Sequence, residues 1–243
     1  MRDWHGKKYW LVGASDGLGA ALARKLSAAG AHVVVSARSE DKLRAVVESL
    51  PGEGSFQTVD VSDDASVVAA SKAIGQLDGV VYLAGVYWPF GAADWDAQQA
   101  TAMADINFTG LVRVMGRVVP QFVTRDAGHI VITGSLSGFR GLPGSIGYTA
   151  SKAGTMSLAE CMYADLRETG VDVQVSNPGF IKTQLTDKND FKMPFLMTPE
   201  EAAEHMFRQM NSTQFKRSFP MVFSWLFRGS QFLPDWLYYR IFS

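Results

Sequence analysis

One stretch near the start constrains the fold more than any other. Residues 8–36 hold an apolar run, a glycine-bearing turn, a helix-like segment and a second apolar run. Lys8–Val12 reads as a strand and Leu18–Ala29 as a helix stopped at Gly30, before the β-branched strand His32–Ser36. A strand, a helix and another strand at this spacing form a βαβ unit, and such units build parallel sheets covered on both faces. The pattern repeats. Ser39–Leu50 reads as a helix with Ser39 as N-cap and Pro51-Gly52 as its end. Phe56–Val59 is expected as a strand, Asp63–Ile74 as a helix and Gly79–Leu83 as a strand. Asn107–Val123 is expected as a helix, His129–Thr133 as a strand, Tyr148–Thr169 as a long helix and Val171–Ser176 as a strand. No repeat, low-complexity segment or linker divides the 243 residues, so the expectation is one α/β domain over 1–243.

The turn after the first strand, "GASDGLG", spaces Gly13, Gly17 and Gly19 as G-x-x-x-G-x-G. A dinucleotide pyrophosphate needs a tight turn, close backbone approach and a helix N-terminus aimed at it. Ser15, Asp16 and Leu18 are counted with the glycines as cofactor-binding; the alternative is an ordinary glycine-rich loop. The second strand ends in Ala37-Arg38. A carboxylate there accepts from the ribose hydroxyls of NAD, whereas a guanidinium suits a 2′-phosphate. NADP(H) is therefore favoured, NAD(H) remains open, and the plain alternative pairs Arg38 with Glu40 or Asp41. Asp60, followed by Val61 after the third strand, either accepts from the adenine amino group or caps the next helix.

"YTASK" sets Tyr148 and Lys152 four apart, on one helical face. A free tyrosine, with a pKa near 10, is a poor proton-transfer group at neutral pH. A nearby ammonium and a cationic nicotinamide lower it, and a drop of about three units corresponds to about 4 kcal/mol. Ser135 stands at the end of the fifth strand, Asn107 lies in an apolar helix, and Pro178-Gly179 turns the chain so that the Ile181 backbone meets the nicotinamide carboxamide.

In these motifs, completed by Thr183, the chain resembles the short-chain dehydrogenase/reductase family. The resemblance implies a Rossmann-type doubly wound, seven-stranded parallel sheet in a three-layer αβα domain, with strand order 3-2-1-4-5-6-7. It implies a catalytic set of Asn107, Ser135, Tyr148 and Lys152. Ser135 orients the carbonyl or alcohol, Tyr148 is general acid in reduction and base in oxidation, Lys152 lowers its pKa and binds the nicotinamide ribose, and Asn107 holds a relay water. Four positions, in three places, depart from the family. Val12 replaces a threonine, Gly134 replaces a serine without expected harm, and Tyr82 and Leu83 replace two asparagines before Ala84 and Gly85, which should weaken the bracing of the central strands. The resemblance also implies homo-oligomers.

Aromatic segments are expected to line the substrate side: Tyr87, Trp88, Phe139, Leu142, Phe180 and Met193, with a lid over about 184–198. The expected substrate is a hydrophobic carbonyl or alcohol. "QFKRSFP" reads as a seventh, edge strand ended by Pro220. The tail, about 220–243, reads as two short helices broken at Gly229 and Pro234, rich in aromatics. It serves as lid or subunit contact, docks on a membrane surface, or completes the monomer's core. A net charge of −1 gives no field to gather nucleic acid. The one cysteine, Cys161, offers no disulfide framework or thiolate metal cluster and fits a reducing cytosol. No apolar run reaches the ~18 residues of a membrane span, which leaves the inner face of a membrane as the other location considered. The rival from another class is a catalytically silent nucleotide sensor, or an adaptor acting through the tail.

Overall fold

The computed structural model describes residues 2–189 and 192–242. Seven parallel strands form one sheet in the order β3-β2-β1-β4-β5-β6-β7. They are β1 Lys8–Val12, β2 His32–Ser36, β3 Gly54–Phe56, β4 Gly79–Tyr82, β5 Gly128–Thr133, β6 Val171–Pro178 and β7 Lys216–Phe219. Helices α1 Gly17–Ala28, α2 Glu40–Glu48, α3 Asp64–Ile74 and α4 Ala97–Ala104 come first. They are followed by α5 Gly110–Arg125, α6 Ile146–Leu166, α7 Pro199–Met210, α8 Met221–Ser230 and α9 Asp235–Phe242. The Rossmann-type architecture and strand order match those expected.

Strand β1 shows why the sheet is covered twice. Its side chains alternate, as a two-residue period dictates. Tyr9 and Leu11 enter the core beneath α1, α2 and α7, while Trp10 and Val12 enter the one beneath α3, α5 and α6. All four are buried. A strand with both faces buried reads as a continuous apolar run, as "YWLV" does.

Strand β3 lies two residues earlier than expected. Val33, Val34 and Val35 pair with Gly54, Ser55 and Phe56. Beyond Phe56 the contact thins to the amides of Gln57 and Val59, which donate to the carbonyls of Val35 and Ala37. The helix expected over Asn107–Val123 begins inside a single π turn, Asp105–Thr109, and continues as α5; α4, which precedes the turn, was not expected. The tail forms two helices as expected, with Pro234 just before α9, but α8 runs through Gly229 and ends at Ser230. The lid expected over about 184–198 includes residues 190 and 191, outside the described residues.

Candidate active site

A cleft of about 520 Å³ opens along the C-terminal ends of β1, β2, β4, β5 and β6. In open α/β sheets ligands bind at these ends, where strand order reverses between β1 and β4. The glycine turn forms one wall. Gly13 has φ 91°, and a Cβ there would overlap the Ala84 backbone; Gly17 has φ 50°, and a Cβ would press on Thr183. Both are positions for glycine by conformation and by space. Asp16 caps α1 by accepting from the amide of Gly17 at 2.6 Å.

Every sequence-read cofactor position lines this cleft: Gly13, Ser15, Asp16, Gly17, Leu18, Gly19, Arg38, Asp60, Val61, Ala84, Gly85, Tyr148, Lys152, Pro178, Gly179, Ile181 and Thr183. Asp60 is not a helix cap. That job belongs to Asp63, which accepts from the amides of Ala65 and Ser66. Asp60 instead accepts from the Ser62 amide at 2.9 Å and hydroxyl at 2.6 Å. The Ser62 hydrogen bonds, then Arg38 and Arg113, hold its carboxyl below the usual range. Glu40, one candidate surface partner of Arg38, pairs with Arg44 at 2.7 Å. Ser39 and Lys42 stand beside Arg38 on the cleft wall, and the Ser39 hydroxyl makes no capping bond to α2. Sequence reading missed both residues, although Lys42 lies one helical turn from Arg38. The cleft fits a nicotinamide dinucleotide. It offers a glycine cradle at a helix N-terminus, cations at one end and, at the other, the buried Thr133 hydroxyl, which has no partner.

Ser135, Tyr148 and Lys152 converge on the wall at the end of β5. Ser135 ends the strand and caps a short 3-10 turn, its hydroxyl accepting from the Ser137 amide at 3.1 Å. Lys152 is 4% exposed, and its Nζ donates to the Thr133 carbonyl at 2.9 Å, 5.8 Å from the centre of the Tyr148 ring. Burial lowers Lys152 to about 8. Burial raises Tyr148 to about 12; hydrogen bonding to Ser135 pulls it back, and Tyr87, 5.1 Å away edge-on, pushes it up. Lys152 makes no bond to the phenol: its amine donates to a backbone carbonyl, and desolvation is the largest influence on Tyr148.

Asn107 does not line the cleft. It is fully buried in the π turn, accepting from the Val86 amide at 2.7 Å and donating to the Val86 carbonyl and the Ser151 hydroxyl, both at 3.0 Å. Both side-chain N–H groups are taken by protein, and with the bond from the Val86 amide they position the loop after β4. Tyr82 corrects another expectation. Its hydroxyl donates to the Ile106 carbonyl at 2.6 Å, bracing β4 against the π turn where weakening was anticipated. Gly134 is needed for space: a Cβ there would run into the Asn177 side chain.

None of Trp88, Phe139, Leu142, Phe180 and Met193 lines this cleft, contrary to expectation. Each has other company. Lys188 sits 4.3 Å over the Trp88 ring and donates to the Tyr87 carbonyl at 2.7 Å. Phe139 packs on the core, and Phe180 faces Phe223 of α8 at 5.8 Å. Asn189 donates to the Met193 sulfur at 3.2 Å, and the Leu142 carbonyl closes a turn with the Ser145 amide. Lys188 and Thr186 reach the cleft instead.

A glycine-cradled cleft at the strand ends, with serine, tyrosine and lysine on one wall, defines a dinucleotide-dependent oxidoreductase class. The family described as short chain dehydrogenase matches residues 7–193, and the chain belongs to it. An uncharacterized oxidoreductase of Myxococcus xanthus is 36% identical over 235 residues, 94% of this chain and 93% of that one. Among solved structures, an actinorhodin polyketide ketoreductase variant with NADPH aligns at TM-score 0.78 with 25% identity, covering 90% of this chain and 97% of that one. A short-chain dehydrogenase from Sphingobium yanoikuyae in complex with NADPH aligns at TM-score 0.83 with 22% identity, covering 92% and 91%.

Proposed function

We propose that the protein is an NADP(H)-dependent oxidoreductase that interconverts a hydrophobic ketone or aldehyde and its alcohol. The observation that carries this is the meeting of Ser135, Tyr148 and Lys152 on one cleft wall. Arg38, Ser39 and Lys42 at the other end supply the charge and hydroxyl that a 2′-phosphate requires. The likeness to a ketoreductase with NADPH agrees with both. A bound nicotinamide dinucleotide supplies the hydride. The protein's own residues hold the proton and the substrate. Ser135 presents a hydroxyl to the carbonyl oxygen. Tyr148 is kept protonated at neutral pH by burial and gives up that proton in the reducing direction to the alkoxide left by hydride transfer, a stronger base than the phenolate. The Lys152–Thr133 bond and the bond from Tyr82 to the Ile106 carbonyl brace this wall.

A panel of ketones and aldehydes, followed by loss of NADPH absorbance, tests the reading. Consumption of NADPH with apolar members is expected, faster than with NADH. A silent sensor would bind NADPH and oxidise it with no member of the panel.

A further inference from the structure

The outer face of α8 and α9 plays no part in the proposed reaction. Helix α8 turns Phe223 and Ser224 inward and leaves Met221, Val222 and Trp225 outside, Trp225 61% exposed. Helix α9 buries Tyr238 and leaves Trp236 69% exposed. Phe232, in the turn between them, is 89% exposed. This many large apolar side chains on one short stretch exceed the scattered exposure of an ordinary surface.

The inner side of the same stretch is fixed to the domain. Arg140 donates to the carbonyls of Ser230 at 2.6 Å and Leu233 at 2.7 Å, and pairs with Asp235 at 2.6 Å. Its guanidinium lies 3.9 Å from the Tyr238 ring centre, and the Tyr238 hydroxyl donates to the Gly141 carbonyl at 2.7 Å. Among the described residues, both helices therefore hold large apolar side chains outward.

Charge decides what that face suits. Arg228 follows Trp225 by three residues and Arg240 follows Trp236 by four, so each cation shares a helical face with an exposed indole. The one acid in 220–243 is Asp235, already bound by Arg140. A second copy meeting this face across a two-fold axis would bring Arg228 and Arg240 of both chains together, with Asp235 the one acid of either tail. An anionic lipid surface is complementary to both the aromatics and the cations.

We propose that the outer face of α8 and α9 docks the protein on an anionic bilayer, indoles at headgroup depth and Arg228 and Arg240 on lipid phosphates. The test is flotation of the full chain with vesicles of phosphatidylcholine, with and without phosphatidylserine. The chain should float with the anionic vesicles and much less with the neutral ones. W225E/W236E should lower the partition at least about tenfold, and R228A/R240A roughly thirtyfold at low salt, at about a fivefold factor per cation. If the glutamate variant fails to fold, the arginine variant carries the test. No flotation of the unaltered chain, or equal flotation of a folded variant, overturns the proposal. So does a dimer, seen by sedimentation, that W225E/W236E splits while no vesicle binding occurs.

Discussion

Lys152 is a cation held where the fold resists charge. Its folded pKa is about 8 against an ordinary value of 10.5. Between those values the unfolded chain binds the extra proton, so stability rises with pH through this window and the penalty is fully present below about 8. Lys152→Met should therefore gain stability relative to the unaltered protein at pH 7, by up to about 3 kcal/mol less the lost Thr133 bond, while turnover collapses. Denaturant melts should show the gain shrinking as pH rises toward 10.5; a gain independent of pH would mean the amine is not desolvated. Arg38 makes the opposite case, an exposed cation on the cleft wall. Arg38→Ala and Lys42→Ala should each weaken NADPH about tenfold and NADH less than about twofold, since a charge-assisted bond to phosphate contributes about 1.5–3 kcal/mol. Fluorescence titration of both nucleotides measures this, and equal losses for the two would remove the 2′-phosphate role.

At the scale of elements, buried polar side chains stitch the central strands together away from the cleft. Tyr9 of β1 shares a hydrogen bond with His129 of β5 at 2.9 Å, and His129 with Gln174 of β6 at 3.0 Å. Gln174 then donates to the carbonyls of Gln209 and Ser212, tying in the end of α7. Burial holds His129 near 3, so it is neutral in the fold. The unfolded chain takes up its proton near 6.5, and this contribution to stability is lost as pH falls from there toward 3. His129→Leu strands Tyr9 and Gln174 and should cost about 2–4 kcal/mol in urea melts, with nucleotide affinity unchanged. A loss below about 0.5 kcal/mol would mean the chain of bonds is not holding the strands. The helix starts show what could be read in advance. Asp63 and Asp96 cap α3 and α4, and Thr198 and Glu201 form a capping box with Pro199 at the start of α7. The signal at α7 was legible in "TPEE" but was not taken up as a helix. The π turn at Asp105–Thr109 has no such local signal. Its partners are distant in sequence: Tyr82 donates to the Ile106 carbonyl and Ser151 accepts from the Asn107 side-chain amide.

For the whole molecule, strand–helix alternation made the parallel sheet legible and the glycine turn the cofactor wall, because both follow from local spacing, while the strand order followed only from the family resemblance. The substrate side was not legible. Phe139 could as well line a pocket as pack on the core, and only the tertiary fold sends it to the core. Nor does the sequence disclose that Arg140 would clamp a tail some 90 residues later. What unites these parts is a proton kept on Tyr148 beside Ser135, within a cleft shaped for a dinucleotide. The direct measurement is NADPH-linked turnover of Tyr148→Phe on a carbonyl the unaltered protein reduces, with NADPH affinity measured in parallel. Turnover should fall roughly a hundred- to ten-thousandfold with affinity nearly unchanged. Turnover within a few-fold of the unaltered protein would contradict Tyr148 as the proton donor.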